Sequence, residues 1–178
     1  KIFRKVPKFA AAGQSTQMIV GATNETDLKI IKVADHFYKN YEMRRVYYSG
    51  YVPMLEDPRL PSVLSQVPMQ RENRLYQADW LMRFYGFQAD EIVDYQNPFL
   101  DLEIDPKLAW ALRNREKFPV NINTANKEML LRIPGVGVKS VNKILMARKF
   151  RKLEMEHLQK LGVAMNRAKY FIEFETQN

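Results

Sequence analysis

The chain of 178 residues contains no cysteine. No disulfide, thiolate zinc site or iron–sulfur cluster can be built from it alone. Histidine is nearly as scarce. The two, His36 and His157, lie far apart, and neither has a ligand partner at helical spacing. Glu154 and His157, three positions apart, read as a surface contact. No apolar run reaches membrane-spanning length and no signal-peptide pattern is present. No membrane partner is therefore expected, and a cytoplasmic setting is the default. Acidic residues are the minority, 20 Asp and Glu against 28 Lys and Arg, for a net charge of +8. With 46% hydrophobic residues the chain is expected to pack a core. Its length suits one large or two small domains.

The positive charge is not evenly spread. Residues 119–178 hold eleven Lys or Arg against five Glu, a net +6 on a third of the chain. Such an excess favours a polyanion as partner. Within this part, 122–149 reads as a short helix, a Pro-Gly-Val-Gly turn and a second short helix. Thr124 is placed to cap the first helix. Met129, Leu130 and Ile133 recur at helical spacing. Pro134 ends that helix, and Gly135 and Gly137 let the backbone turn tightly and lie open. The next helix begins near Val138. Its first N–H groups, with Lys139 beside them, make an anion site. The run Arg148-Lys149-Phe150-Arg151-Lys152 comes directly after that helix.

Ile133-Pro134-Gly135-Val136-Gly137 followed by Val138-Lys139-Ser140 resembles the hairpin of helix-hairpin-helix DNA-binding domains. The resemblance implies that the hairpin amides hold a phosphate of duplex DNA without reading sequence. An ordinary αα turn with a glycine cap is the other reading of the same residues. A shift of 27 positions sets Leu131 on Leu158, Gly135 on Gly162, Val136 on Val163 and Ile144 on Phe171. Residues 158–167 thus form a weaker second copy. Two such hairpins pair about a pseudo-twofold axis and bury a shared core. The copy has Ala164 for the second glycine and Leu161 for the proline, so its role is mainly structural, with Asn166 and Arg167 left to reach a phosphate. The DNA-contact candidates are Gly135, Val136, Gly137, Val138, Lys139 and Ser140 in the hairpin. Lys143, Arg148 and Lys149 lie beyond it, and Asn166 and Arg167 belong to the second copy.

The first third of the chain reads as strand, helix and strand. Residues 16–20 form a buried strand, 21–27 a turn and helix start, and 28–40 a helix with an apolar stripe. Residues 45–52 form a second strand closed by Pro53. This is a βαβ unit with parallel strands. Parallel strands need cover on both faces, and two strands are too few for an independent sheet. The segment is therefore expected to be part of a larger α/β domain. Prolines 58, 61 and 68 keep 53–69 irregular. A helix is predicted over 71–85, with Leu75, Trp80, Leu81 and Phe84 inward and Arg71, Arg74 and Arg83 outward, stopped by Gly86. A short helix is next, near 89–93. Another starts at the cap Asp105 with Pro106 in first position and ends near Lys117. Asp101, Glu103 and Asp105 alternate as metal ligands sometimes do, but a solvated loop is the expectation. Tyr47, Tyr48 and Tyr51 are expected in a core.

Residues 12–23 and 45–53 resemble the last two βα steps of a radical S-adenosylmethionine barrel. The whole chain resembles the C-terminal half of radical SAM proteins proposed to act in DNA modification or repair, through segments such as 71–80 and 108–115 and the hairpin tail. That resemblance implies a [4Fe–4S] cluster on cysteines of the first barrel loop, S-adenosylmethionine cleavage to a radical, and a uracil-DNA glycosylase-like partner. The cysteine loop is missing here, so no cofactor and no radical activity are expected of this chain alone. Ile19, Gly21, Tyr48 and Ser49 are the positions the resemblance sets near the cofactor. In the pattern Gly-x-Ile-x-Gly-x-x-Glu, Ile19 and Gly21 fit, Gln17 and Asn24 depart, and Glu25 falls one place late.

The expected architecture is α+β and mostly helical. A truncated βα-barrel end of two parallel strands and a helix covers 1–57. A helical linker covers 58–117, and a tandem helix-hairpin-helix domain covers 118–178. Duplex DNA binding is the leading function. An RNA-directed radical enzyme and a module docking a glycosylase-like protein are the alternatives.

Overall fold

The structure, a computed structural model, describes residues 10–62 and 67–174. Expectations that fall on 1–9, 63–66 and 175–178 lie outside the described residues. The fold is α+β and mostly helical.

The βαβ unit forms where its pattern predicts, although of the strand expected to be buried, 16–20, only Val20 is. Strand β1, Ser15–Val20, pairs in parallel with β2, Arg45–Gly50, in a register that sets Met18 opposite Tyr48. Helix α1, Asp27–Tyr41, crosses between them, and its N-cap Thr26 accepts the Lys29 N–H. Val20, Val46 and Tyr48 are buried with Leu28, Ile30, Ile31 and Ala34 of α1. The other sheet face, carrying Ser15, Gln17, Ile19, Arg45 and Tyr47, is exposed. Tyr47 is thus not a core residue. It lies under the Arg45 guanidinium, 5.0 Å from its ring centre.

Helix α2, Met69–Tyr85, turns Leu75 and Leu81 inward as expected but departs at Arg74, Trp80 and Phe84. Arg74 is buried, while Trp80 and Phe84 are 56% and 53% exposed. Beside Leu75, Ala78 and Leu81 the inward face carries polar groups that are paired. The Asp27 carboxylate accepts from Arg71 Nε at 2.8 Å and from the Leu100 N–H at 2.9 Å. Glu72 accepts the Gly50 N–H, and Arg74 donates to the carbonyls of Leu102 and Glu103. Asp79 accepts from the phenols of Tyr38 and Tyr48. Buried charge is tolerable only when partnered in this way. Gly86, at φ 73°, ends the helix as expected.

Helices α3, Ala89–Ile92, and α4, Pro106–Arg113, complete this unit, with Asp105 capping α4 through the Leu108 N–H. A single 3₁₀ turn, Arg115–Lys117, occupies what reads from sequence as the end of α4. Leu75, Leu81, Phe87, Ile92 and Trp110 share one core with Val20 and Val46. Residues 69–113 therefore pack onto the sheet unit, and are more than a bridge to the hairpins.

The second core belongs to residues 120–172. Strand β3, Val120–Asn121, leads to α5, Lys127–Arg132, and α6, Val138–Ala147. Then come α7, Met155–Lys160, α8, Met165–Ala168, and β4, Ile172–Glu173, which pairs in parallel with β3. The cap of α5 is Asn126, accepting from Met129 N at 2.8 Å, rather than Thr124 two places earlier. Ile122, Leu130, Ile133, Val136, Ile144, Leu153 and Leu158 are buried together. Each such side chain contributes about 1.5–3 kcal/mol. No helix among the described residues is long and apolar enough to cross a membrane.

Candidate nucleic-acid interface

Two helical turns face each other in this second unit. Gly135 stands at φ 84° after α5, and Gly162 at φ 86° after α7, 27 positions on. The Ala164 N–H donates to the Gly135 carbonyl at 2.9 Å. From the other side the Ser140 hydroxyl donates to the Gly162 carbonyl at 3.0 Å. The turns are thus tied tip to tip.

The two glycines of the first turn do different work. Gly135 supplies a left-handed conformation and a close approach: a Cβ there would lie 2.7 Å from the Ala164 oxygen. Gly137 has φ −93° and ψ 165°, an extended backbone open to any residue. A Cβ at Gly137 would meet nothing nearer than the Tyr85 hydroxyl at 3.8 Å. What its missing side chain provides is open space at the start of α6. No side chain caps that helix. Its first-turn N–H groups have no intrahelical partner, and the helix dipole makes their end positive. Lys139 and Lys143 on α6 are exposed, as is Lys149 beyond it.

Other candidates are occupied by structural bonds. Ser140 is buried and committed to Gly162, so its hydroxyl is a lock between hairpins. The Val136 side chain is in the core, and its carbonyl accepts from Lys107 Nζ at 2.6 Å. Val138 is half-buried against the same core, leaving its backbone as the part available to a ligand. Arg148 donates to the carbonyls of Ile122 and Ala125, clamping the end of α6 to the loop before α5. Arg167 is ion-paired with Asp105. Asn166 is exposed beside it. Arg132, part of the same charge excess, is 5% exposed, pairs with Glu91 and lies over the Phe87 and Trp110 rings. A guanidinium needs several acceptors, and the carbonyls at helix ends and turns provide them.

Lys107, Arg132 and Arg167 join the hairpin unit to the first core. Lys107 is the least expected of them. It is 8% exposed and lies 4.6 Å from the Tyr85 ring centre. Burial pushes its ammonium down to about 7, with Asp105 pulling up and Arg167 pushing further down. The folded state therefore holds fewer protons at this group than the unfolded state between about 7 and the ordinary 10.5. Stability gained from Lys107 is present above that window and lost as pH falls through it. Compared with Lys107→Met, the wild-type chain is expected to gain stability with rising pH in this window, by about 1.4 kcal/mol per unit at its steepest. Urea unfolding at a series of pH values measures the difference, and parallel curves would contradict it.

The positions set near a cofactor are less available than the resemblance implies. The Gly21 N–H donates to the Glu25 carboxylate at 2.7 Å, and Thr23 donates to the same group. The Glu one place late thus closes the turn after β1. Tyr48 is 3% exposed, its N–H donates to the Tyr76 hydroxyl and its phenol to Asp79. Ile19 is 51% exposed on the uncovered sheet face, and Ser49 is half-buried. Among the described residues no group of three or more His, Cys, Asp or Glu could hold a metal ion. Asp101 accepts the N–H groups of Glu103 and Ile104, which makes it a turn former. His157 Nδ1 accepts the Glu154 N–H at the start of α7.

Trp80, Tyr85 and Lys107, which border the hairpin, carry no motif. The only signal for Trp80 is negative: α2 has charges at 71, 72, 74, 79 and 83 and so no clean apolar stripe. No protein-family model, curated protein or solved structure matches this chain.

Proposed function

We propose that the paired hairpins bind the phosphate backbone of duplex DNA without reading its sequence. The observation that carries this reading is the uncapped start of α6 at the side-chain-free Gly137, with Lys139 and Lys143 exposed on the same helix. A phosphate is accepted by helix N-terminal amides, and lysines add charge without fixing base identity. The net +6 of residues 119–178 acts in the same direction. Gly135 contributes indirectly, by seating the second turn against the first.

The test is fluorescence anisotropy of the chain with a labelled duplex at low and near-physiological salt. Binding is expected to weaken steeply with salt. Lys139→Glu should lower affinity for every sequence alike and reduce the salt slope by about 1. Gly137→Val should fold, since its backbone is extended, and should bind poorly because the new side chain covers the amides. Affinity unchanged in both variants would remove the hairpin as the contact. Competition with structured RNA separates the DNA reading from the RNA one.

In the wider reading the chain is the C-terminal part of a radical SAM enzyme acting on DNA. The uncovered face of the β1–β2 sheet supports this, because parallel strands ordinarily carry cover on both faces. The cluster and S-adenosylmethionine would belong to the cysteine-bearing part of such an enzyme. The role of this chain is to hold the nucleic acid.

A further inference from the structure

Trp80 is a large apolar side chain left 56% exposed on a helix that buries Arg74 and Asp79 instead. It borders an open cleft of about 180 Å³ between α2, the start of α4 and α8. Leu81, Tyr85 and Lys107 form the inner wall, and Gln77, Asp105 and Arg167 the rim. The cleft adjoins the hairpin. Lys107 grips the Val136 carbonyl, and the Tyr85 hydroxyl is the nearest atom to the open side of Gly137.

The chemistry of the cleft differs from that of the hairpin. Asp105 neutralises Arg167, so the rim is not an anion trap. It offers the exposed aromatic side chain of Trp80, with the mixed donors and acceptors of Gln77, Asp105 and Arg167, while the Tyr85 ring carries the Lys107 ammonium over it. That combination suits a flat, uncharged ring with polar edges. The volume falls below the roughly 300–1,000 Å³ of a site for a drug-sized ligand, so it suits a single ring system. Paired bases keep their faces stacked inside the duplex. A base can reach Trp80 only where the strand is unpaired.

We propose that this cleft takes one unpaired nucleobase from a strand whose phosphate is held at the neighbouring hairpin, so that the protein prefers a duplex with a single-stranded flank to a blunt one. The inference rests on the duplex-binding reading above. It adds a second contact, made by stacking.

The test uses the full chain, a labelled blunt duplex, and the same duplex with a short thymidine overhang on either strand. One overhang polarity is expected to bind about fivefold tighter or more, the low end of one base–aromatic stack. Trp80→Ala should abolish that preference and leave blunt-duplex affinity unchanged. With a wild-type chain and 2-aminopurine in the overhang, base fluorescence should be quenched on binding, and less so in Trp80→Ala. Equal affinity for blunt and overhung duplexes overturns the inference, as does a preference that survives Trp80→Ala. If Lys139→Glu still weakens blunt-duplex binding in that case, the hairpin function stands and only the cleft assignment falls, which leaves the aromatic face to a protein partner. Absence of binding to any duplex removes both.

Discussion

Gly135→Ala is expected to destabilise the protein by about 3 kcal/mol, whereas Gly86→Ala costs about 1. Both glycines have positive φ, 84° and 73°. The left-handed conformation alone costs an alanine about 1 kcal/mol at either site. The difference lies in what surrounds them. A Cβ on Gly86 meets nothing within 4 Å, while one on Gly135 meets the Ala164 oxygen at 2.7 Å and the Ala168 nitrogen at 3.1 Å. Both of the latter are backbone atoms and cannot swing aside. The second turn must retreat, and the bond from Ala164 N to the Gly135 carbonyl lengthens or breaks. Its loss adds about 1 kcal/mol. Thermal unfolding should show Gly135→Ala melting roughly 6–12 °C below wild type, with Gly86→Ala about 2–4 °C below. Equal shifts would mean that the turns are not held in contact.

Asp79→Ala should cost as much or more, about 3–5 kcal/mol, though none of its hydrogen-bond partners lies in the hairpin unit. Its carboxylate is the common acceptor for Tyr38 at 2.6 Å, Tyr48 at 3.2 Å and Arg83 at 3.4 Å. Tyr38 also accepts the Val46 N–H, so one carboxylate orders the sheet, α1 and α2 together. Truncation strands a buried phenol and a guanidinium at once, and unmade hydrogen bonds of buried groups are costly. Burial, and then the nearby Asp79, raise both tyrosine phenols above their ordinary 10. Their contribution to stability is therefore full below that value and is lost as pH rises above it. Asp79→Asn keeps the shape without the charge. In that variant an ultraviolet titration should find the phenols ionising at lower pH than in wild type. An unchanged titration would show that Asp79 does not act on them.

The turn at Gly135 and the helix around Asp79 differ in how far sequence discloses them. The turn is written locally: a proline, two glycines and a lysine stand within six places, and backbone conformation responds to nearest neighbours. The βαβ unit is legible for the same reason, through the apolar end of β1, the turn and helix start at 21–27 and an apolar stripe in α1. Helix α2 is not, because assigning its inner face assumes that apolar side chains face inward. Here Arg71, Glu72, Arg74 and Asp79 find partners from distant segments, at Asp27, Gly50, Leu102 and Tyr38. Nothing within the helix reports those partners. Strands β3 and β4 have two residues each, too few for any period to show. Charge was legible as a total but not by residue. Lys139 and Lys143 stay exposed, while Arg132, Arg148 and Arg167 are used to fasten one segment to another.

The short pairing of β3 with β4 sets Val120 beside Ile172 and Asn121 beside Glu173. The chain thus enters and leaves the hairpin unit at one place. A fold whose two ends emerge together can be spliced into a loop of an unrelated host without stretching either protein. It can equally be rejoined end to end and reopened elsewhere. For residues 120–172 this makes transplantation and circular permutation practical routes to altered proteins. Phe118, packed edge-to-face against Phe171 with ring centres 5.1 Å apart, is the side chain to carry along so that the seam stays closed.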